Sequence, residues 1–349
     1  MSHSITGSNL QGLLHSALGA DTTQDLFDLL EVPASTLHPA SASVTRLELA
    51  QALNMALFHR LLQQVPSGRA YVADARTAGI KICFDHGAVR TVLRQQASGF
   101  PNGEALFTRL LLPLGYALNG LYPLPRIHMT GRVYTHLDDP EQIAQFFVSE
   151  LHPAQFSASF QATVDSVLAS SVDPLTPALQ TLLTQLAADG QLPLAQAQHL
   201  LPAMLGCFAR HHALPSLAQY QQLLAESAEM AWIATEGNAF NHATDRVPDV
   251  EATAAQQRQL GRPIKDLVEV SRNGRVRQTA FRADQVSHPL KDANGSLIDT
   301  VVPGSFYEFI SRDHYIDAAS GISKLDLSFD SGNAQGIFKM TAAGDVSAC

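Results

Sequence analysis

One phrase occurs twice in this chain. FDHGAVR at 84–90 and FNHATDR at 240–246 share a phenylalanine, an Asx residue, a histidine, three intervening residues and an arginine. A repeated histidine phrase constrains the fold toward two related modules, each delivering an imidazole to a common point. Around the first copy, Ile80, Ile82, Phe84 and His86 alternate with Lys81, Cys83 and Asp85. That period of two predicts a strand from Ile80 onward, with His86 on its apolar face.

The texture on either side divides the chain into four parts. Residues 1–75 predict a helical arm. In RLELAQALNMALFHRLLQQ, Leu47, Leu49, Leu53, Leu57, Leu61 and Leu62 lie near a 3.6 period, and the run stops at Pro66-Ser67-Gly68. Residues 76–154 predict a β-rich module, with GEALFTRLLLPLGYAL as a helix and LYPLPRIHMTGRVYTH as one or two strands. Residues 155–235 return to helical spacing, as in Phe156, Phe160, Val164, Val167 and Leu168, and Pro174, Pro177, Pro193, Pro202 and Pro215 cut the insertion into short helices. Residues 236–349 predict a second β-rich module. Its hairpin, LVEVSRNGRVRQTAFRA, turns at Asn273-Gly274, a pair that favours a type I′ turn, and further strands are expected at GSFYEFISRD and AQGIFKMTA. The expected class is α+β, with a sheet core built from two pseudo-repeated modules.

Bulk properties narrow the function classes. A formal charge of −9 sets aside the nucleic-acid backbone as a partner. No apolar run is long enough to span a bilayer, and the N-terminal stretch lacks the features of a secretion signal. Cys83, Cys207 and Cys349 are widely spaced and odd in number, which fits neither a disulfide framework nor a zinc knuckle. A reducing cytoplasm is the expected location.

The second module adds a carboxylate. In SFYEFISRD, Phe306, Glu308, Ile310 and Arg312 share one face of a strand. A glutamate among Phe and Ile is costly to bury unless it is paired or binds a cation. Taken singly, each histidine reads as a hydrogen-bonded core residue and Glu308 as the partner of an arginine. Taken together, two inward imidazoles and an inward carboxylate form a possible two-histidine, one-carboxylate triad, which suits non-heme Fe(II) and leaves coordination positions open.

At these residues the sequence resembles the 2-oxoadipate dioxygenase/decarboxylase family, iron enzymes related to the vicinal-oxygen-chelate (glyoxalase-like) superfamily. FDHGAVRTV, PLGY at 113–116, FNHATDRV and SFYEFISRD carry the resemblance. It implies a glyoxalase-like core in which His86, His242 and Glu308 bind Fe(II), and Arg90 holds a carboxylate of a small 2-oxo acid substrate. It also implies a reaction in which 2-oxoadipate and O2 give 2-hydroxyglutarate and CO2. Arg246 holds the repeat-equivalent place of Arg90, without a role assigned to it. The alternative chemistry on the same scaffold is a glyoxalase-like lyase, isomerase or hydrolase using Zn2+, Ni2+ or Mn2+ as a Lewis acid.

Other motifs have local readings. His136-Leu137-Asp138 spells a metal-ligand pair, yet HLDDPEQIAQFF predicts a helix start with Asp139 as N-cap and Pro140 in the first turn. His211 and His212 are adjacent on an expected helix and point to different sides. Glu150 and His152 close the first module, His152 standing as far from His86 as Glu308 stands from His242, so either is a candidate to line the pocket. Cys83 is out of phase with His86, and a redox role has little support. Arg312 lies along the strand from Glu308 and either touches substrate or balances charge.

Overall fold

The computed structural model describes residues 7–94 and 99–330; the strand expected at 334–342, and Cys349, fall outside them. The arm consists of α1 (Asn9–Leu18), α2 (Ala20–Leu29), α3 (Arg46–Gln64) and α4 (Pro66–Thr77). A capping box starts α3: Thr45 Oγ1 accepts from the Glu48 amide at 3.2 Å, and Glu48 Oε2 accepts from the Thr45 amide at 2.8 Å. Pro66 does not end the arm. It occupies the first turn of α4, where its missing N–H costs nothing.

The first module runs β1 (Phe84–Val92), α5 (Ala105–Leu111), β2 (Tyr116–Leu124), β3 (Met129–His136) and β4 (Gln145–Leu151). β1 begins later than the alternation predicts. Ile80 is exposed, and Ile82 makes only a parallel bridge to Leu30. The expected helix at HLDDPEQIAQFF is a turn followed by β4. Asp139 accepts from Ser35 Oγ at 2.6 Å, and Phe146, Phe147 and Val148 enter the sheet instead of continuing a helical turn.

The insertion contributes α6 (Ala158–Leu168), α7 (Pro177–Asp189), α8 (Leu194–Gly206), α9 (Leu217–Leu224) and α10 (Ala228–Glu236). His211 and His212 lie between α8 and α9, outside any helix. The second module runs β5 (Phe240–Arg246), α11 (Val250–Gln259), β6 (Glu269–Val270), β7 (Val276–Ala280), an outlying hairpin of β8 (Gln285–Lys291) and β9 (Leu297–Pro303), and β10 (Phe306–Arg312). The β6–β7 turn has Gly274 at φ 76° but not Asn273 at positive φ, so it is not type I′.

One eight-stranded sheet has the order β2-β3-β4-β1-β5-β10-β7-β6. The two halves mirror each other about the β1–β5 seam. In each module the first strand pairs in parallel with the last, and the seam itself is antiparallel.

The two faces of this sheet are covered differently. On one, Phe58 and Tyr71 of the arm pack against Tyr307 and Phe309 of β10, with the Tyr71 and Phe309 ring centroids 4.7 Å apart. Each such buried aromatic contributes roughly 1.5–3 kcal/mol. On the other, Phe160 of α6, Leu223 of α9 and Trp232 of α10 pack with Ala88 and Phe147. The arm therefore backs the sheet rather than covering the histidine face. Among the described residues, no helix is long and apolar enough to cross a membrane.

Candidate metal centre

Register places three polar side chains on one face at the seam. His86 of β1 lies opposite Thr244 of β5, and Glu308 of β10 lies opposite the same Thr244 from the other side. His242 lies two residues before Thr244 and so shares its face. His86, His242 and Glu308 each offer a ligand atom within 4.8 Å of the others, and all three are buried. Glu308 Oε2 is 3.1 Å from His242 Nε2 and 3.8 Å from His86 Nε2. Thr244 Oγ1 donates to Glu308 Oε2 at 3.1 Å and sits 3.1 Å from His86 Nε2.

The Asx residue of each phrase has a structural purpose that alternation conceals. Between Phe84 and His86, β1 advances two residues while β5 advances one, so Asp85 is extra. Between His242 and Phe240 the slip is on β5, so Asn241 is extra. Each is a bulge residue, and bulging re-aims a side chain that strict alternation would send to the opposite face. Asp85 Oδ1 meets His86 Nδ1 at 2.8 Å, and Asn241 Oδ1 meets His242 Nδ1 at 3.3 Å. With Nδ1 engaged as a donor, Nε2 of each ring is left as the lone-pair end.

Arg312 holds Asp85 in place. Its Nε donates to both Asp85 oxygens at 3.1 and 2.9 Å, and a terminal nitrogen donates to Oδ1 at 2.9 Å. Its remaining nitrogen donates to the carbonyls of Asp326 and Ser328, pinning the segment that carries Phe329. Between touching substrate and balancing charge, the geometry gives Arg312 the second part.

The electrostatics suit a cation. Burial pushes the Glu308 carboxyl up to about 8, with Glu269 adding repulsion. Burial pushes His86 down despite Asp85, and burial with the neighbouring His86 and Arg90 pushes His242 well below the usual imidazole range. Burial alone would raise Asp85, but Arg312 and His86 hold it far below the ordinary carboxylate range. The site therefore presents two neutral imidazoles and a carboxyl that lacks a counter-charge. Glu308 Oε1 is buried without a hydrogen-bond partner among the described residues. An orphaned carboxylate oxygen beside two imidazole nitrogens fits a divalent transition metal.

A narrow pocket, partly open to solvent, fronts the two histidines. His86, Ala88, Arg90, Phe147, Asn241, His242 and Phe329 are among its walls. Arg90 is buried, and its guanidinium lies 4.9 Å over the Trp232 ring. Burial pushes that guanidinium down to about 10, which leaves it cationic at neutral pH. Phe329 stands edge-on to His86, with centroids 4.8 Å apart.

The remaining candidates lie elsewhere. Arg246 donates to the Glu141 carbonyl and to Cys83 Sγ, away from this pocket. Burial pushes the Cys83 thiol up to about 12. Glu150 pairs with Arg132 at 3.2 Å and accepts from the Glu104 amide, and His152 Nε2 meets Thr130 Oγ1 at 2.8 Å. Neither is a wall of the pocket. His136 Nε2 is taken by the Leu114 carbonyl and Asp138 by Arg46. His211 and His212 use Nε2 on the carbonyls of Cys207 and Ala234. Sequence reasoning gave no part to Asp85, Asn241 or Thr244, although the Asx of the repeated phrase was in view.

A family model described as 2-oxoadipate dioxygenase/decarboxylase matches residues 47–320. The chain belongs to that family. It is therefore the chain of an enzyme. No curated protein matches it. Among solved structures, a protein from Ralstonia eutropha JMP134 named for the glyoxalase superfamily is 54% identical. It superposes with a TM-score of 0.86 over 92% of this chain and 98% of that one. The hydroxyglutarate synthase of Oryza sativa, solved in complex with 2-oxoadipate, is 18% identical, with a TM-score of 0.66 over 87% of this chain and 97% of that one. That of Pseudomonas putida, also in complex with 2-oxoadipate, is 19% identical, with a TM-score of 0.59 over 86% of this chain and 74% of that one. At such identities these two synthases show a shared α+β fold alone, and the glyoxalase-like character of that fold rests on the 54%-identical structure.

Proposed function

We propose that the protein is an Fe(II)-dependent dioxygenase/decarboxylase that converts a 2-oxo dicarboxylic acid of the 2-oxoadipate type, with O2, to a 2-hydroxy acid one carbon shorter and CO2. The observation that carries this reading is the buried convergence of His86, His242 and Glu308, the two histidines lining a pocket that also holds Arg90. Family membership and the 2-oxoadipate complexes of the two synthases support the substrate class.

His86 and His242, oriented through Nδ1, and Glu308 would hold the metal. Bound Fe(II) supplies a Lewis-acidic anchor for a 2-oxo acid and the redox chemistry that O2 requires. The chain's own residues do the rest. Arg90, its guanidinium over the Trp232 ring, carries a planar fork that fits a carboxylate by two parallel hydrogen bonds and fixes its direction as well as its position. Ala88, Phe147 and Phe329 form apolar walls that limit water at the site and strengthen the charge interactions beside them.

The test is anaerobic Fe(II) titration followed by O2 uptake and CO2 release with 2-oxoadipate and its homologues. Consumption of O2 matched one to one by CO2 is expected, and its absence across the series rejects the reaction. Arg90→Lys separates binding from chemistry, because it keeps the charge and loses the fork; KM should rise about ten- to hundredfold with a smaller change in kcat. The glyoxalase-superfamily name of the 54%-identical structure favours a second reading, Lewis-acid chemistry on Zn2+, Ni2+ or Mn2+. Full occupancy by a redox-inert ion in protein purified without added metal supports that reading instead.

A further inference from the structure

We infer that Asn241 is a double-ended positioning residue, with its Oδ1 fixing the His242 tautomer and its Nδ2 donating to an oxygen of the bound 2-oxo acid. The inference deepens the proposed function and rests on it. Three observations converge. Asn241 is the extra residue of the β5 bulge, so it shares the pocket with His242 although the two are consecutive in sequence. Its Oδ1 lies 3.3 Å from His242 Nδ1. Its Nδ2 is buried and has no hydrogen-bond partner among the described residues.

The amide orientation follows from metal ligation. With His242 Nε2 as a metal ligand the ring proton is left on Nδ1, and of the two ends of Asn241 only the carbonyl, 3.3 Å from Nδ1, accepts it. The –NH2 end is then turned away from the ring, in a residue that is a wall of the pocket. A buried amide donor without an acceptor costs free energy, and a ligand oxygen seated in the pocket removes that cost.

The first module shows what an anion at this place would do. Asp85 makes the equivalent contact to His86, but both its oxygens face Arg312 and it offers no donor. Two aspartates would have turned a second negative charge toward an anionic substrate. Asn in one phrase and Asp in the other thus divides the labour: charge behind one histidine, an N–H for the ligand beside the other.

Asn241→Asp keeps the acceptor for His242 and replaces the donor with a carboxylate. In calorimetric titrations under anaerobic conditions, this variant should hold Fe(II) within about threefold of wild type. Loaded with Fe(II), it should bind 2-oxoadipate at least tenfold more weakly. Asn241→Ala, chosen as the variant with least risk to folding, loses both ends. Its Fe(II) affinity should fall about ten- to hundredfold, and its 2-oxoadipate affinity at saturating metal should fall as well. Binding of 2-oxoadipate within twofold of wild type by either folded variant at saturating metal overturns the substrate contact. Undiminished Fe(II) affinity in Asn241→Ala overturns the tautomer contact. A wild-type protein that takes up Fe(II) but binds no 2-oxoadipate overturns the functional reading and this contact together, whereas normal wild-type binding with an indifferent Asn241→Asp overturns the contact alone.

Discussion

Phe147 stands in the first module where Glu308 stands in the second. Each lies on its module's last strand, opposite the residue two places beyond the module's histidine: Phe147 opposite Ala88, Glu308 opposite Thr244. The pseudo-symmetry therefore delivers two imidazoles but only one carboxylate. What would have been a fourth donor is an aromatic wall of the pocket. An asymmetric pair of halves is what leaves room beside a bound cation for a second molecule.

Glu308→Gln keeps the shape and removes the charge. Outer-shell changes around a metal cost about ten- to hundredfold in affinity, so a ligand change should cost at least about a hundredfold. Competition titration with a chelator reads this directly, and retained affinity removes Glu308 from the ligand set.

Arg312 and Asp85 form a buried ion pair, and each side chain is almost wholly shielded from water. Arg312→Met leaves the buried Asp85 carboxylate with only the more distant Arg246, 3.9 Å away, and should destabilise the metal-free protein by about 3 kcal/mol in urea unfolding. Adding Asp85→Asn to that variant should recover at least half of the loss, since the stranded charge is then gone.

Gly87 is the glycine of the first phrase, and it lies beneath an aromatic ring. A Cβ at Gly87 would collide with the Phe240 ring, so the phrase requires glycine for close packing across the seam. Gly87→Ala should cost about 1–3 kcal/mol and weaken metal binding, because the strand that moves is the one bearing His86. Phe240→Leu in the same chain should relieve part of the stability loss in thermal unfolding, though it opens space elsewhere in the core.

Asp245 sets a pH dependence on the arm side of the sheet, where Tyr71 meets it. Burial pushes its carboxyl up to about 7, while Tyr71 Oη donates to Oδ2 at 2.7 Å and the Cys83 amide donates to Oδ1 at 3.1 Å. The unfolded carboxyl titrates near 3.9. Between these values the folded state holds a proton that the unfolded state has lost, so this group's contribution to stability falls as pH rises from about 4 to about 7, then levels. The slope for one proton is about 1.4 kcal/mol per pH unit. Asp245→Asn should flatten that portion of the stability-against-pH curve, measured by urea unfolding, and an unchanged slope would assign it to another group.

The fold was legible where apolar residues keep a regular spacing and hidden where they run together, since β10 and β4 are both buried along their whole lengths. β10 declared itself by alternation, and α3 by its leucine spacing. β4 did not. Its apolar residues run together on a strand covered on both sides, so IAQFFV carries no period, and the turn before it imitated a helix start. The three converging side chains were legible because a phrase occurs twice and an acidic residue sits in an apolar strand. The bulges were not. A one-residue slip depends on which strands pair, and pairing across the seam is not written in either strand alone. The count of residues from each histidine also misdirected attention to His152, since the second module carries the β8–β9 hairpin and the first has no counterpart to it. Register, not count, identifies Phe147.

The seam itself has a consequence beyond chemistry. One donor comes from the first half of the chain and two from the second, so neither half owns a complete grip. Any cation the cluster takes up works as a clasp, tying oppositely directed ribbons at the place where the two halves adjoin. Occupancy then adds to cohesion, and losing the ion leaves the midline to the backbone pairing alone.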